Sequence, residues 1–217
     1  MFWWLMKHVF LGPLLRLMFR PVASGLENVP AQGPAILASN HQSFLDDVLL
    51  PLVVPKRPVV FLAKAEYFDK WYLRGFLRMA RVIPVGGEER AGDALRAAAR
   101  ALEEGNLVGI FPEGTRSRDG RLYRGKTGVA RIAWKTGAPV IPVAMFGTFE
   151  AMPQGRLLPR PRRIRIRFGP PLVFDAAQMD GDPRALRSAT DRIMSEIRRL
   201  SGQEYVDEYA PQARARD

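Results

Sequence analysis

Residues 35–50 read Ala35-Ile36-Leu37-Ala38-Ser39-Asn40-His41-Gln42-Ser43-Phe44-Leu45-Asp46-Asp47-Val48-Leu49-Leu50. The first five are uncharged and mostly apolar, which predicts a short buried strand. Asn40 and His41 follow as a loop, and Ser43 opens a helical pattern through Val48, Leu49 and Leu50 that stops near Pro51. Strand, polar loop and helix in sixteen residues is the unit from which α/β sheets are built.

The same alternation continues outward. Further strands are predicted at 58–63, 81–85, 107–111 and 139–146, and helices at 70–80, 91–104, 127–136 and 184–200. Gly105 and Gly137 stand where glycines end helices. Residues 163–168 alternate arginine with apolar side chains, which predicts a half-exposed edge-type strand. The fold class is therefore α/β: one domain with a mixed, partly parallel sheet flanked by helices. With 217 residues one substantial core suffices. The division expected is 1–20 as an N-terminal interfacial segment, 21–200 as the α/β domain and 201–217 as a polar, loosely held tail.

Composition narrows the chemistry. There is no cysteine, which removes disulfides, thiolate nucleophiles and cysteine–zinc sites together. Two histidines, His8 and His41, are too few for a multi-histidine metal centre, and no metal is expected. A formal net charge of +11 favours anionic partners, whether lipid, phosphorylated small molecule or nucleic acid.

The first twenty residues help to choose among them. They carry Trp3, Trp4 and many apolar side chains, interrupted by Lys7, Arg16 and Arg20, with Gly12-Pro13 at the centre to break or kink a helix. A bilayer span needs roughly 20 mostly apolar residues, so this stretch is too charged and too broken. An amphipathic membrane-associating helix fits, with tryptophans at headgroup level. The other reading is an apolar helix packed on the domain.

Two short constellations carry the chemistry. On one continuous helix, His41 and Asp46 would diverge by about 140°. If the helix begins at Ser43, Asp46 lies in its first turn and reaches back to the imidazole. A carboxylate on one ring nitrogen fixes the tautomer and makes the other nitrogen a better base. Ser43 and Asp46 are also spaced like a capping box, in which Asp46 only satisfies backbone donors, and Asp47 is a second candidate carboxylate. Later, Phe111-Pro112-Glu113-Gly114-Thr115-Arg116-Ser117 follows a buried strand, with Arg118, Arg121, Arg124 and Lys126 behind it. The planar fork of Arg116 matches a phosphate. Glu113 would accept from substrate hydroxyls or brace Arg116; the plain alternative is a surface turn with one ion pair.

In this order and about seventy residues apart, the two constellations resemble the glycerolipid acyltransferase family of the lysophosphatidate type. Its histidine–four residues–aspartate motif is matched by His41 and Asp46, and its Phe-Pro-Glu-Gly-Thr-Arg-Ser motif at every position from Phe111 to Ser117. Val140-Ile141-Pro142-Val143 and the lead-in from Gly25 to Pro30 are also similar to the family. One block departs: after Val82-Ile83-Pro84-Val85 comes Gly86-Gly87, where the family usually has a phosphate-holding arginine. Arg81 and Arg90 are the neighbours that could compensate.

The resemblance implies that His41 takes a proton from an acceptor hydroxyl, which attacks an acyl thioester directly while Asp46 orients the ring. Glu113, Gly114, Thr115, Arg116 and Lys126 become the expected substrate-binding residues. It implies an acyl-CoA or acyl carrier protein donor, a lysophospholipid acceptor (lysophosphatidate first, glycerol 3-phosphate or another lysolipid otherwise), no cofactor, and work at the cytoplasmic face of the membrane. No nucleic-acid partner is expected; a non-enzymatic basic binding protein would account for charge but not for the motif pair. The arginines from Arg156 to Arg167 are either a solvated strand face or a contact with anionic headgroups or the acyl carrier.

Overall fold

Every residue of Ala35–Ser39 is buried, as a strand covered by helices on both faces must be. The computed structural model describes residues 11–55, 57–64, 66–69, 82–85, 90–175 and 182–211. In chain order these form α1 (Leu11–Phe19), β1 (Val22–Ser24), a 3-10 turn (Leu26–Asn28), β2 (Ala35–Ser39), α2 (Phe44–Val53), β3 (Val59–Val60), β4 (Leu62–Lys64) and α3 (Glu66–Asp69). Then come β5 (Ile83–Val85), α4 (Arg90–Glu103), β6 (Leu107–Ile110), β7 (Leu122–Tyr123), α5 (Gly128–Thr136) and β8 (Val140–Phe146). The order closes with α6 (Thr148–Ala151), β9 (Arg165–Phe168), α7 (Pro183–Ser201) and β10 (Tyr205–Val206). The expected helix at 70–80, Arg81 and residues 1–10 lie outside the described residues.

Six strands make the main sheet in the order β1-β9-β8-β2-β6-β3. All neighbours run parallel except β8 and β9. Side-chain alternation divides the core in two. Leu37, Leu107, Ile141 and Val143 point to one face, where they meet Phe19 of α1 and Leu45, Leu49 and Leu50 of α2. Ile36, Ala38, Val108 and Val140 point to the other, against Ala98 and Leu102 of α4, Val129 and Ile132 of α5, and Ile193 and Ile197 of α7. Fully burying one such aliphatic side chain is worth about 1.5–3 kcal/mol. Because β2, β6 and β8 run the same way, the loops leaving their carboxyl ends gather on one edge of the sheet, where open α/β sheets place their chemistry.

Several expectations are corrected. β9 is half-exposed, but it is not an edge, because β1 pairs outside it through Val22 and Arg165. Alternation reports one wet face and says nothing about who sits alongside. The run 58–63 is two strands: β3 joins β6, whereas β4 joins β5 in a separate small sheet. The switch comes at buried Phe61, whose ring lies where a Cβ on Gly109 would be 2.3 Å away. Pro51 does not stop α2, which runs on to Val53. Proline removes one intrahelical hydrogen bond, but Leu52 and Val54 beyond it are buried in the core, and that packing carries the last turn.

The described part of the segment after α7, residues 202–211, is docked on the domain. β10 pairs in parallel with β7, the Leu122 amide donates to the Glu204 carbonyl at 2.9 Å, and the Arg124 amide donates to Glu208 at 3.0 Å. At the other end, Phe19 is buried, Leu15 and Met18 pack against the same core, and Leu14 and Leu17 face outward. Among the described residues no helix is long and apolar enough to cross a membrane.

Candidate active site

The end of β2 is locked before His41 is reached. Asn40 forms a fork with Met145 of β8: its Nδ2 donates to the Met145 carbonyl at 3.1 Å and its Oδ1 accepts the Met145 amide at 2.8 Å. The His41 backbone is then held on both sides by the loop after β6. Its amide donates to Glu113 Oε1 at 2.9 Å, and its carbonyl accepts the Ser117 amide at 2.8 Å. The imidazole stacks on Phe111, with centroids 3.8 Å apart and planes 14° from parallel, and Phe111 in turn stacks on Phe61 at 5.7 Å. Ring position and ring plane are thus both set by tertiary contacts.

Helix α2 supplies the carboxylate. Ser43 is its N-cap, accepting from the Leu45 amide at 3.2 Å, and Asp46 completes the capping box. Asp46 Oδ2 accepts from the Gln42 amide at 2.7 Å, the Ser43 amide at 2.8 Å and His41 Nδ1 at 3.2 Å. The two readings of this aspartate coincide: one oxygen caps the helix and meets the ring. The carboxylate is fully buried while the His41 side chain keeps 13% exposure, so the ring has one protected edge and one reachable from outside. A carboxylate only accepts, which places the proton on Nδ1 and leaves Nε2 as the free base. Asp46 Oδ1 is buried with no hydrogen-bond partner among the described residues.

Glu113 is 1% exposed and both its oxygens are taken by backbone donors, His41 on one side and Tyr123 of β7 at 3.0 Å on the other. Burial pushes its carboxyl up to about 7, against the pull of those two N–H groups. Neither expected use, a substrate hydroxyl or Arg116, matches these bonds: the residue ties the His41 loop to β7. Asp47, half-buried beside the dyad, is raised to about 6 by burial, with His41 and Arg116 lowering it and Asp46 raising it.

The remaining motif residues surround this brace. Gly114 adopts φ +71°, a left-handed conformation that favours glycine. A Cβ there would lie 3.1 Å from Cδ, Cε and Nζ of Lys126, so the lysine side chain lies across the glycine. Lys126 is exposed, and Thr115 and Arg116 are half-buried. No hydrogen bond or ion pair is recorded for the Arg116 guanidinium among the described residues, and its neighbour Ser117 is bonded to the His41 carbonyl. Arg121 and Arg124 differ, being paired with Asp119 at 2.7 Å and Asp207 at 3.6 Å. Arg81 and the side chain of Arg90 lie outside what is described.

Sequence reasoning missed three contributors. Tyr123 holds Glu113 through a backbone amide, which has no sequence signature, and Phe111, quoted in the motif without a role, holds the ring by stacking. Gln203 comes from the segment read as a loose tail. Its Oε1 accepts from Asn40 Nδ2 at 2.8 Å, and its Nε2 donates to the Gly120 carbonyl at 2.7 Å. The same carbonyl accepts from Gln42 Nε2 at 3.0 Å, so Gln203 closes a ring of amides around the residues flanking His41.

Residues 20–146 match the family described as Acyltransferase. A chloroplastic 1-acyl-sn-glycerol-3-phosphate acyltransferase of Brassica napus is 38% identical over 134 residues, which is 60% of this chain and 38% of the plant protein. The chain thus spans less than half the length of this relative and of the chloroplastic one of Arabidopsis thaliana. A 1-acyl-sn-glycerol-3-phosphate acyltransferase of Bacillus subtilis is 28% identical over 176 residues, 80% of this chain and 84% of its own. Among solved structures, the 1-acyl-sn-glycerophosphate (LPA) acyltransferase PlsC of Thermotoga maritima superposes with a TM-score of 0.67 and 30% identity, covering 83% of this chain and 71% of that one.

Proposed function

The chain belongs to the acyltransferase family, and from that membership we propose that it moves a fatty acyl group from a thioester to the free hydroxyl of lysophosphatidate, yielding phosphatidate. The observation that carries this reading is the contact of 3.2 Å between His41 Nδ1 and Asp46 Oδ2, with the Arg116 loop bonded to the same histidine. His41 Nε2 accepts the proton of the acceptor hydroxyl as its oxygen attacks the thioester carbon. The tetrahedral adduct collapses, the carbon–sulfur bond breaks, and the imidazolium returns the proton to the leaving thiolate. General-base help of this kind contributes about 10²–10⁴-fold.

Asp46 keeps the ring in the tautomer that step requires. Arg116, whose guanidinium has no recorded hydrogen bond or ion pair among the described residues, takes the acceptor phosphate, with the Lys126 ammonium close by across Gly114. Glu113 acts by positioning the His41 backbone. The donor is acyl-CoA or acyl carrier protein, and the site works at the cytoplasmic face of a membrane, with the N-terminal segment as an interfacial helix. In support, α1 turns Leu14 and Leu17 outward.

Because Gly86 and Gly87 stand where the family usually has a second phosphate-holding arginine, glycerol 3-phosphate or another lysolipid is the second reading of the acceptor. Mass spectrometry of products from a panel of lysolipid and glycerol phosphate acceptors decides between them. In that assay His41→Ala should abolish acyl transfer while the thermal melt is unchanged. Full activity in the variant would overturn the role given to His41.

A further inference from the structure

Between Glu150 and Asp175 the chain has no acidic residue and carries Arg156, Arg160, Arg162, Arg163, Arg165 and Arg167. Within this run Leu157 is 90% exposed and Leu158 78%, above every other large apolar side chain described as exposed. Single exposed leucines are ordinary. Two in succession in an arginine-rich loop are a different matter, because no core gains from them and the flanking charge is of one sign.

The loop is built as a unit. Its neck closes where the Arg160 amide donates to the Ala151 carbonyl at 2.8 Å, and the Arg156 amide donates to Pro153 at 3.1 Å. Pro153, Pro159 and Pro161 limit its freedom. One end is tied to the candidate site, since the Ser43 hydroxyl capping α2 donates to the Met152 carbonyl at 2.7 Å. The other end is tied to the exit of α1: the Ile164 amide donates to Phe19 at 2.9 Å and its carbonyl accepts the Val22 amide at 3.0 Å. Arg160 and Arg163 are exposed, with no ion pair recorded among the described residues.

We propose that this loop is a second membrane contact, with Leu157 and Leu158 entering the interface of an anionic bilayer and the arginines meeting lipid phosphates. Apolar insertion plus headgroup attraction is how interfacial elements bind. The tie at Ser43 then sets the proposed site beside the headgroups, where a phosphate-bearing lipid acceptor is presented. That consequence rests on the proposed function, whereas the contact itself does not.

The test uses the intact chain and measures co-sedimentation with phosphatidylcholine vesicles, with or without phosphatidylglycerol. The double variant Leu157→Ser/Leu158→Ser should lower partitioning about tenfold or more. Arg160→Gln/Arg163→Gln should lower it roughly tenfold on anionic vesicles only. Acyl transfer to detergent-dispersed acceptor should persist in both variants. Since the chain has no cysteine, Leu157→Cys also accepts one environment-sensitive fluorophore, whose emission should shift to the blue on anionic vesicles. Partitioning of the leucine variant within about twofold of wild type, with no emission shift, overturns the proposal. So does an arginine variant that loses only an acidic acyl carrier protein, which would make the loop a protein dock.

Discussion

Glu113→Gln separates two effects that the buried carboxylate combines. In the unfolded chain this group ionises near 4.5, whereas burial in the folded protein holds it near 7. At 1.36 kcal/mol per pH unit, that gap is worth about 3 kcal/mol. The sign follows from proton counts. Below about pH 4.5 both states are protonated and the full stability is present; as pH rises towards 7 the unfolded chain holds fewer protons, so stability falls. Above about 7 the loss is complete. Glutamine never ionises, so it removes this slope. It also turns an amide NH₂ towards one of two backbone donors, His41 or Tyr123, and a buried donor left without an acceptor costs about 1–3 kcal/mol. Urea titrations of both proteins at about pH 5 and pH 8 should find the variant destabilised at the lower pH and near wild type at the higher, a difference of about 2–3 kcal/mol in the effect of the substitution. The same destabilisation at both pH values would refute the reasoning, because the carboxylate would then not be ionising against burial.

Two further predictions follow from the bonds around His41. Asp46→Asn keeps an oxygen for the Gln42 and Ser43 amides but loses the negative charge beside Nδ1, so kcat should fall by roughly 10²-fold or more with the helix content by circular dichroism unchanged; wild-type kcat would remove Asp46 from the mechanism. Gln203→Ala strips one acceptor from Asn40 and one donor from Gly120, which should cost about 1–2 kcal/mol in urea titrations and lower kcat more than it raises KM. An unchanged kcat would make the C-terminal segment a structural dock alone.

The element pattern and the two motifs were legible in the letters because local physics writes them there. The run Ala35–Ser39 is apolar because a central parallel strand has no wet face. Gly137 ends α5 at φ +65°, a conformation few other residues adopt cheaply. Ser43 and Asp46 are spaced as a capping box, and that spacing made it geometrically possible for Asp46 to reach His41. Even the half-exposure of β9 followed from its alternation.

Contacts between distant residues were decided only by the folded chain. Whether Glu113 met substrate, Arg116 or backbone depended on where β7 and His41 came to lie, 10 and 72 residues away along the chain. Gln203 looked like part of a polar tail because hydrophilicity is the same for a solvated amide and for a half-buried one bonded to Asn40. Strand neighbours are set by long-range register, so β1 outside β9 and the change of sheet at Phe61 left no periodic trace. Local periodicity fixes a residue's conformation and which way its side chain points. What it points at depends on free energy summed over the whole packed molecule, and no short window of sequence contains that.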